Sequence, residues 1–155
     1  MDTFSEMFQR DLIILDGNYG DREELFDKVV TFLQEKGYVK ETFKEAIKTR
    51  EGNYPTGLRT APFHVAIPHT DPEHINKPFI VFIRPLQQIQ FMEMGTDDQY
   101  VQAELVFMLG LQRSEKQTAL LQKLIDMFMQ EEAMNFLMNE NDPVNILAFL
   151  KKNIK

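Results

Sequence analysis

His69 is the residue of this chain whose type and setting best suit chemistry. It follows Val65-Ala66-Ile67-Pro68, a short apolar run closed by a proline. Proline has no N–H to give to a sheet ladder, so a strand through Val65–Ile67 should stop there and leave the imidazole exposed at a strand edge or rim. A histidine held on a stiff backbone suits a nucleophile that titrates near neutral pH. Arg50 is its natural companion. It is expected at a helix end just before the polar loop Glu51–Gly57, from which its planar guanidinium can grip an oxyanion with two parallel N–H bonds. Each residue also has a plainer reading. A histidine after a strand is commonly a polar loop residue, Arg50-Glu51 a solvated helix terminus, and Thr56-Gly57 simple turn chemistry.

His64, His69 and His74 lie five residues apart, with Asp71 and Glu73 close by. That invites a metal site, but the spacing is not that of a helical His pair, and Pro68 interrupts any regular face. Along a strand, side chains five apart point to opposite faces, so His64 and His69 should not converge. No metal and no other cofactor is predicted.

The elements that must position these residues can be read from periodicity. Asp11–Leu15 reads as a strand ending in an Asp16-Gly17-Asn18 turn. Asp21 caps a helix, with Glu24 completing a capping box; Leu25, Val29, Phe32 and Leu33 form its buried stripe, and Lys36-Gly37 ends it. A second helix is expected over Lys40–Arg50, with Phe43, Ala46 and Ile47 inward. Strands are expected at Val65–Ile67, Phe79–Ile83 and Ala103–Leu111, with Gln88–Met92 as an alternating edge strand. Ser114 should cap a helix bearing Leu120, Leu121, Leu124, Ile125 and Phe128, and Glu131–Met138 a shorter one. Asp142-Pro143 should open the last, with Ile146, Leu147, Phe149 and Leu150 inward. Helices at both ends and strands between them predict one α/β domain over residues 1–155, a mixed sheet sandwiched between helices.

Composition narrows the function. The 17 Lys and Arg residues are outnumbered by 24 Asp and Glu residues, a net charge of -7, and no basic block stands out. Nucleic acid is therefore a poor partner, since binding it depends on neutralising phosphates with cations. Cysteine is absent, which removes disulfides, thiolate metal ligands and a Cys nucleophile. The apolar runs Phe79–Ile83 and Leu105–Leu109 are far too short to span a bilayer, so no membrane insertion is expected. Met1–Phe8 has no basic stretch leading into an apolar core, so a cytoplasmic setting is expected.

Three elements together, Arg50-Glu51, Pro55-Thr56-Gly57 and Val65-Ala66-Ile67-Pro68-His69, resemble the phosphorylation-site signature of the enzyme IIA domains of the bacterial sugar phosphotransferase system. The resemblance is to the mannitol/fructose/nitrogen-type superfamily and extends over nearly the whole chain. Tyr54-Pro55-Thr56-Gly57, His74, and Lys77–Ile80 leading to Arg84-Pro85 are most similar to galactitol-type members. The chain departs from the common pattern at Thr70, where many members have a small residue, and at Pro62, where glycine is common. Gln117 stands where mannitol- and nitrogen-type members carry a second histidine.

The resemblance implies a phosphotransferase with a phosphohistidine intermediate. His69 would accept a phosphoryl group through Nε2 from the phosphorylated histidine-containing phosphocarrier protein and pass it to a cysteine of the cognate IIB component. The membrane component IIC would be served indirectly, in uptake of a galactitol-like sugar or sugar alcohol. Arg50 would stand beside the phosphate, with Thr56 and Gln117 at or supporting the phosphate site. Gln117 has two readings, a phosphate contact or a capping-box partner of the Ser114 N–H. The alternative function is that of nitrogen-type relatives, a regulatory module that binds proteins according to its phosphorylation state. Asp71 and Glu73 are candidate acidic residues for steering a basic partner surface.

Overall fold

The computed structural model describes residues 4–155, so the first three residues of the N-terminal segment lie outside the described residues. Its centre is a pair of antiparallel strands, β4 (Phe79–Pro85) and β7 (Leu105–Gly110), in register with Ile80 opposite Leu109 and Phe82 opposite Phe107. Nearly every residue of both is buried, so both faces of the sheet must be covered. The two-residue period sends Ile80, Phe82, Leu105, Phe107 and Leu109 to one face, and Phe79, Val81, Ile83, Val106 and Met108 to the other. Flanking strands complete the order β1-β4-β7-β3-β2, with β1 at Ile13–Gly17, β2 at Gly57–Leu58 and β3 at Val65–Ala66. β1 is parallel to β4 and β3 is parallel to β7, whereas β2 is antiparallel to β3. The sheet is mixed, as predicted.

The first face packs against α3 (Ser114–Phe128), α4 (Glu131–Asn139) and α5 (Pro143–Asn153) through Leu120, Leu124, Phe128, Leu137 and Ile146. The second packs against α1 (Arg22–Glu35), α2 (Phe43–Asn53) and a separate hairpin of β5 (Ile89–Met92) and β6 (Tyr100–Ala103). The result is a mixed sheet between two helical layers. Gly57 lets the hairpin lie against β2, because a Cβ there would meet the Val101 side chain and come within 2.7 Å of the Met92 carbonyl oxygen. Arg84, buried on β4, ties the sheet to the α4–α5 corner. Its guanidinium donates to the carbonyls of Leu137 and Glu140 and to Asn141 Oδ1.

Local signals set most helix ends. Asp21 accepts from the Glu24 N–H at 2.9 Å, although the Glu24 carboxylate turns to the Gly20 N–H rather than back to Asp21. Gly37, at φ 83°, lets the Tyr38 N–H reach the Leu33 carbonyl and end α1. Asp142 accepts from the Val144 N–H at the start of α5.

Four expectations are corrected. The first strand begins at Ile13, because Arg10–Leu12 turn as a 3₁₀ helix. The long strand over Ala103–Leu111 is two strands parted at Glu104, whose N–H turns to the His64 carbonyl at 2.9 Å. The second helix covers Phe43–Asn53 rather than Lys40–Arg50, and so includes Glu51. The Ser114–Gln117 capping box is not formed. Arg113 takes the N-cap position without a side-chain bond, which puts Ser114 already inside the first turn, one residue too far along for its hydroxyl to cap.

Candidate functional site

β3 delivers His69. The Leu109 N–H donates to the Pro68 carbonyl at 3.0 Å, extending the β3–β7 pairing to the proline, after which the chain leaves the sheet. The expectation of an exposed imidazole is wrong: His69 is only 8% exposed, and Thr70 beside it is also buried. Proline ended the strand as predicted, but the side chain beyond it is buried rather than left at an open rim.

The ring is oriented by one bond. His69 Nδ1 lies 2.7 Å from the Ile67 carbonyl oxygen. A carbonyl can only accept, so Nδ1 carries the hydrogen and Nε2 is left with the lone pair. Burial lowers the His69 pKa below the ordinary histidine value; the Ile67 bond opposes this, Arg50 adds to it and Asp71 opposes it. The imidazole is thus neutral at neutral pH, with Nε2 as its nucleophilic atom.

The Ile67 carbonyl is itself held from behind. The Ile67 N–H donates to the Thr56 carbonyl at 3.3 Å. Thr56 in turn donates its N–H and its hydroxyl, both at 2.8 Å, to the two carboxylate oxygens of Glu51. Thr56 is buried, and both its hydrogens are committed to Glu51. Glu51 is 4% exposed, so it is no solvated helix terminus. Its burial costs are met by the Thr56 bonds, which hold the loop Tyr54–Gly57 against the last turn of α2.

Burial raises the Glu51 pKa, while the Thr56 bonds and the Arg22 charge oppose the rise. The native state therefore binds the Glu51 proton more tightly than the unfolded chain. Stability from this group falls as pH rises from the ordinary glutamate range through the raised value. Glu51→Gln removes that slope, and it keeps both bonds if the Thr56 hydroxyl reverses to accept. Glu51→Ala leaves two buried donors unpaired and is expected to cost roughly 2–3 kcal/mol, a drop of about 5–10 °C in melting temperature. Thermal denaturation of the two variants checks both; an alanine variant as stable as the parent would remove Glu51 from this role.

Arg50 lies in the last turn of α2, as expected, three residues before its end. Its Nη1 is 3.2 Å from Asp71 Oδ1, and its guanidinium lies 4.8 Å from the centroid of the exposed Tyr54 ring. Asp71 pairs with Arg50 while its side chain stays largely exposed, and Glu73 is exposed beside His74. The other histidines have different partners. His74 Nδ1 is 2.7 Å from Thr42 Oγ1, and the His64 carbonyl is bound by Glu104. Gln117 is half-buried in the first turn of α3, and its side chain makes no hydrogen bond to another described residue.

A shallow groove of about 520 Å³ runs along α2 beside these groups, lined among others by Ala46, Arg50, Tyr54, Thr70 and Asp71. Three contributions escaped the sequence reading: the Ile67 carbonyl, the buried Glu51 carboxylate and the Arg50–Asp71 pair. Each depends on distances between segments, and no residue type announces it. Among the described residues no helix is long and apolar enough to cross a membrane.

Comparison with known proteins gives concordant results. The family model described as phosphoenolpyruvate-dependent sugar phosphotransferase system, EIIA 2, matches residues 6–153. The galactitol-specific EIIA component of the phosphotransferase system of Escherichia coli K12 is 28% identical over 120 residues, covering 77% of this chain and 79% of that protein. Two solved structures share the fold. The nitrogen regulatory protein IIA-Ntr from Neisseria meningitidis has a TM-score of 0.75 at 23% identity, covering 95% of this chain and 98% of that one. Enzyme IIAMTL from Escherichia coli, solved in complex with phosphorylated enzyme IIBMTL, has a TM-score of 0.73 at 21% identity, covering 94% and 99%.

Proposed function

Because this chain belongs to the EIIA 2 family of the phosphoenolpyruvate-dependent sugar phosphotransferase system, we propose that residues 1–155 act as a single phosphoryl-relay domain centred on His69. The donor is the phosphorylated histidine of the phosphocarrier protein and the acceptor a cysteine of the cognate IIB component. The membrane component IIC is served only through IIB, and the relay works in the cytoplasm. A galactitol-like sugar or sugar alcohol is the cargo of the system, an assignment supported by the relative at 28% identity over 120 residues.

The observation that carries this reading is the bond from His69 Nδ1 to the Ile67 carbonyl, 2.7 Å long. It leaves the Nε2 lone pair free to attack phosphorus. As the Nε2–P bond forms, the P–N bond of the donor breaks, and its electron pair returns to the donor imidazole. The His69 Nδ1 proton stays on the Ile67 bond throughout, so no general base is required. In the second step the cysteine thiolate attacks phosphorus and the Nε2 lone pair is restored. Such transfers depend on positioning and charge neutralisation more than on acid–base machinery. Arg50 supplies the charge, and Thr56 supports the site from behind through the Ile67 N–H.

Gln117 follows β7, whose Leu109 pairs with Pro68, so the first turn of α3 belongs to the His69 end of the sheet. We assign its amide to a phosphoryl oxygen as a neutral donor. With no cap to lose, Gln117→Ala should melt at the parent temperature and transfer about 2–10-fold more slowly, the value of one neutral hydrogen bond. Parent-like transfer rates would remove Gln117 from the site.

Incubation with phosphoenolpyruvate and the general phosphotransferase components tests the function directly. Intact-mass analysis should show a gain of one phosphoryl group, mapped to the His69 peptide. No gain of mass, or a label on His64 or His74, sinks the proposal.

A further inference from the structure

The Arg50 guanidinium acts through its charge on the His69 imidazole, yet that charge is already taken up. Asp71 holds Nη1 at 3.2 Å, and the Tyr54 ring packs 4.8 Å from the guanidinium carbon. Asp71 stands at the N-cap of the single turn Pro72–His74, where a carboxylate ordinarily bonds backbone N–H groups. It makes no such bond here and turns to Arg50. Asp71 is two residues from His69, and its charge and that of Arg50 act on the imidazole in opposite senses. The Asp71 carboxylate thus occupies the cation that a phosphoryl group on Nε2 would call on.

We propose that Asp71 is a positioning residue that competes with the phosphoryl group for Arg50. This rests on the reading of His69 as the phosphoryl acceptor. In the unphosphorylated protein Asp71 and Tyr54 park the guanidinium beside the site. When the phosphoryl group arrives, its oxygens offer a stronger, bidentate match, and the fork exchanges Asp71 for phosphate. When the group leaves, Asp71 retakes Arg50. The exchange offsets part of the attraction between Arg50 and phosphate, so phospho-His69 is bound less firmly and passes its group on more readily. A ligand shifts such an equilibrium only by its differential affinity for the two states, and the Arg50–Asp71 pair supplies that difference.

The magnitude follows from exposure. The Asp71 side chain is 63% exposed and that of Arg50 34%, a setting in which ion pairs have a modest effect. Asp71→Asn should therefore raise the equilibrium ratio of phosphorylated to unphosphorylated protein against the phosphocarrier about two- to fivefold. Onward transfer to the acceptor should slow by a similar factor. Direct repulsion between Asp71 and the phosphoryl group would act in the same direction, and a double-mutant cycle separates the two.

The experiment measures the phosphorylated ratio at equilibrium by intact mass for the parent, Asp71→Asn, Arg50→Gln and the double variant. A rise with Asp71→Asn in the parent background that vanishes in the Arg50→Gln background is the expected result. An equal rise in both backgrounds assigns the effect to direct repulsion and overturns the proposal. An unchanged or lower ratio for Asp71→Asn also overturns it, since a purely structural role would lower phosphorylation. A parent that takes no phosphoryl group onto His69 is a separate outcome, which overturns the relay function and this inference with it.

Discussion

His69→Gln is expected to fold, to keep its helices and sheet, and never to gain the phosphoryl mass that the parent acquires. Glutamine can place an amide N–H near the Ile67 carbonyl, so the bond that orients the imidazole has a substitute. It has no basic nitrogen lone pair, so nothing remains to attack phosphorus. His64→Gln and His74→Gln should still be phosphorylated, because the hydrogen bonds of the Ile67–Thr56–Glu51 chain that aims His69 use neither side chain. Mass spectrometry of the three variants under identical conditions provides the comparison; phosphorylation of His69→Gln at the parent level would end the assignment. The same variant has a second signature, in stability. The folded pKa of His69 is depressed, chiefly by burial, so the native state binds fewer protons than the unfolded chain just below the ordinary value. The contribution of this group is complete above roughly pH 6.5 and is lost as pH falls through the depressed value. Denaturation profiles of His69→Gln should lack that acid-side loss.

Arg50→Ala should transfer the phosphoryl group about 10²–10³-fold more slowly, the usual consequence of removing one preorganised donor from a developing anion. Arg50→Lys should fall between the alanine variant and the parent, since it keeps the charge but loses the planar fork. Stability should change little in either. The alanine variant gives up a partly exposed ion pair with Asp71 and the stacking on exposed Tyr54, each worth about 1 kcal/mol or less. Single-turnover transfer from the phosphorylated carrier, with melting temperature as control, separates the site from the fold. A rate for Arg50→Ala equal to that of the parent would reduce Arg50 to a surface residue paired with Asp71.

Much of this molecule is local and therefore legible in the sequence. The Asp21 cap, the Gly37 stop, the Asp142-Pro143 start and the apolar strand Phe79–Ile83 stand where residue type and spacing put them. So does the end of β3 before Pro68, since a missing N–H is a property of one residue. The combination of Arg50-Glu51, Thr56-Gly57 and Pro68-His69 also identified the family from the chain alone. What periodicity could not give depends on segments far apart in the chain. α2 runs on through Glu51 because Thr56, brought back by the loop, satisfies a carboxylate that propensity alone would leave in water. The apolar run after Tyr100 divides at Glu104 because its two halves pair with different strands, β5 and β4. The imidazole that proline should have left exposed is buried, by packing that no local pattern encodes. Arg50 meets Asp71 across 21 residues of sequence. Backbone conformation follows from near neighbours, but burial, protonation and the partner of a charge follow from what packs against it, and only the tertiary structure decides that.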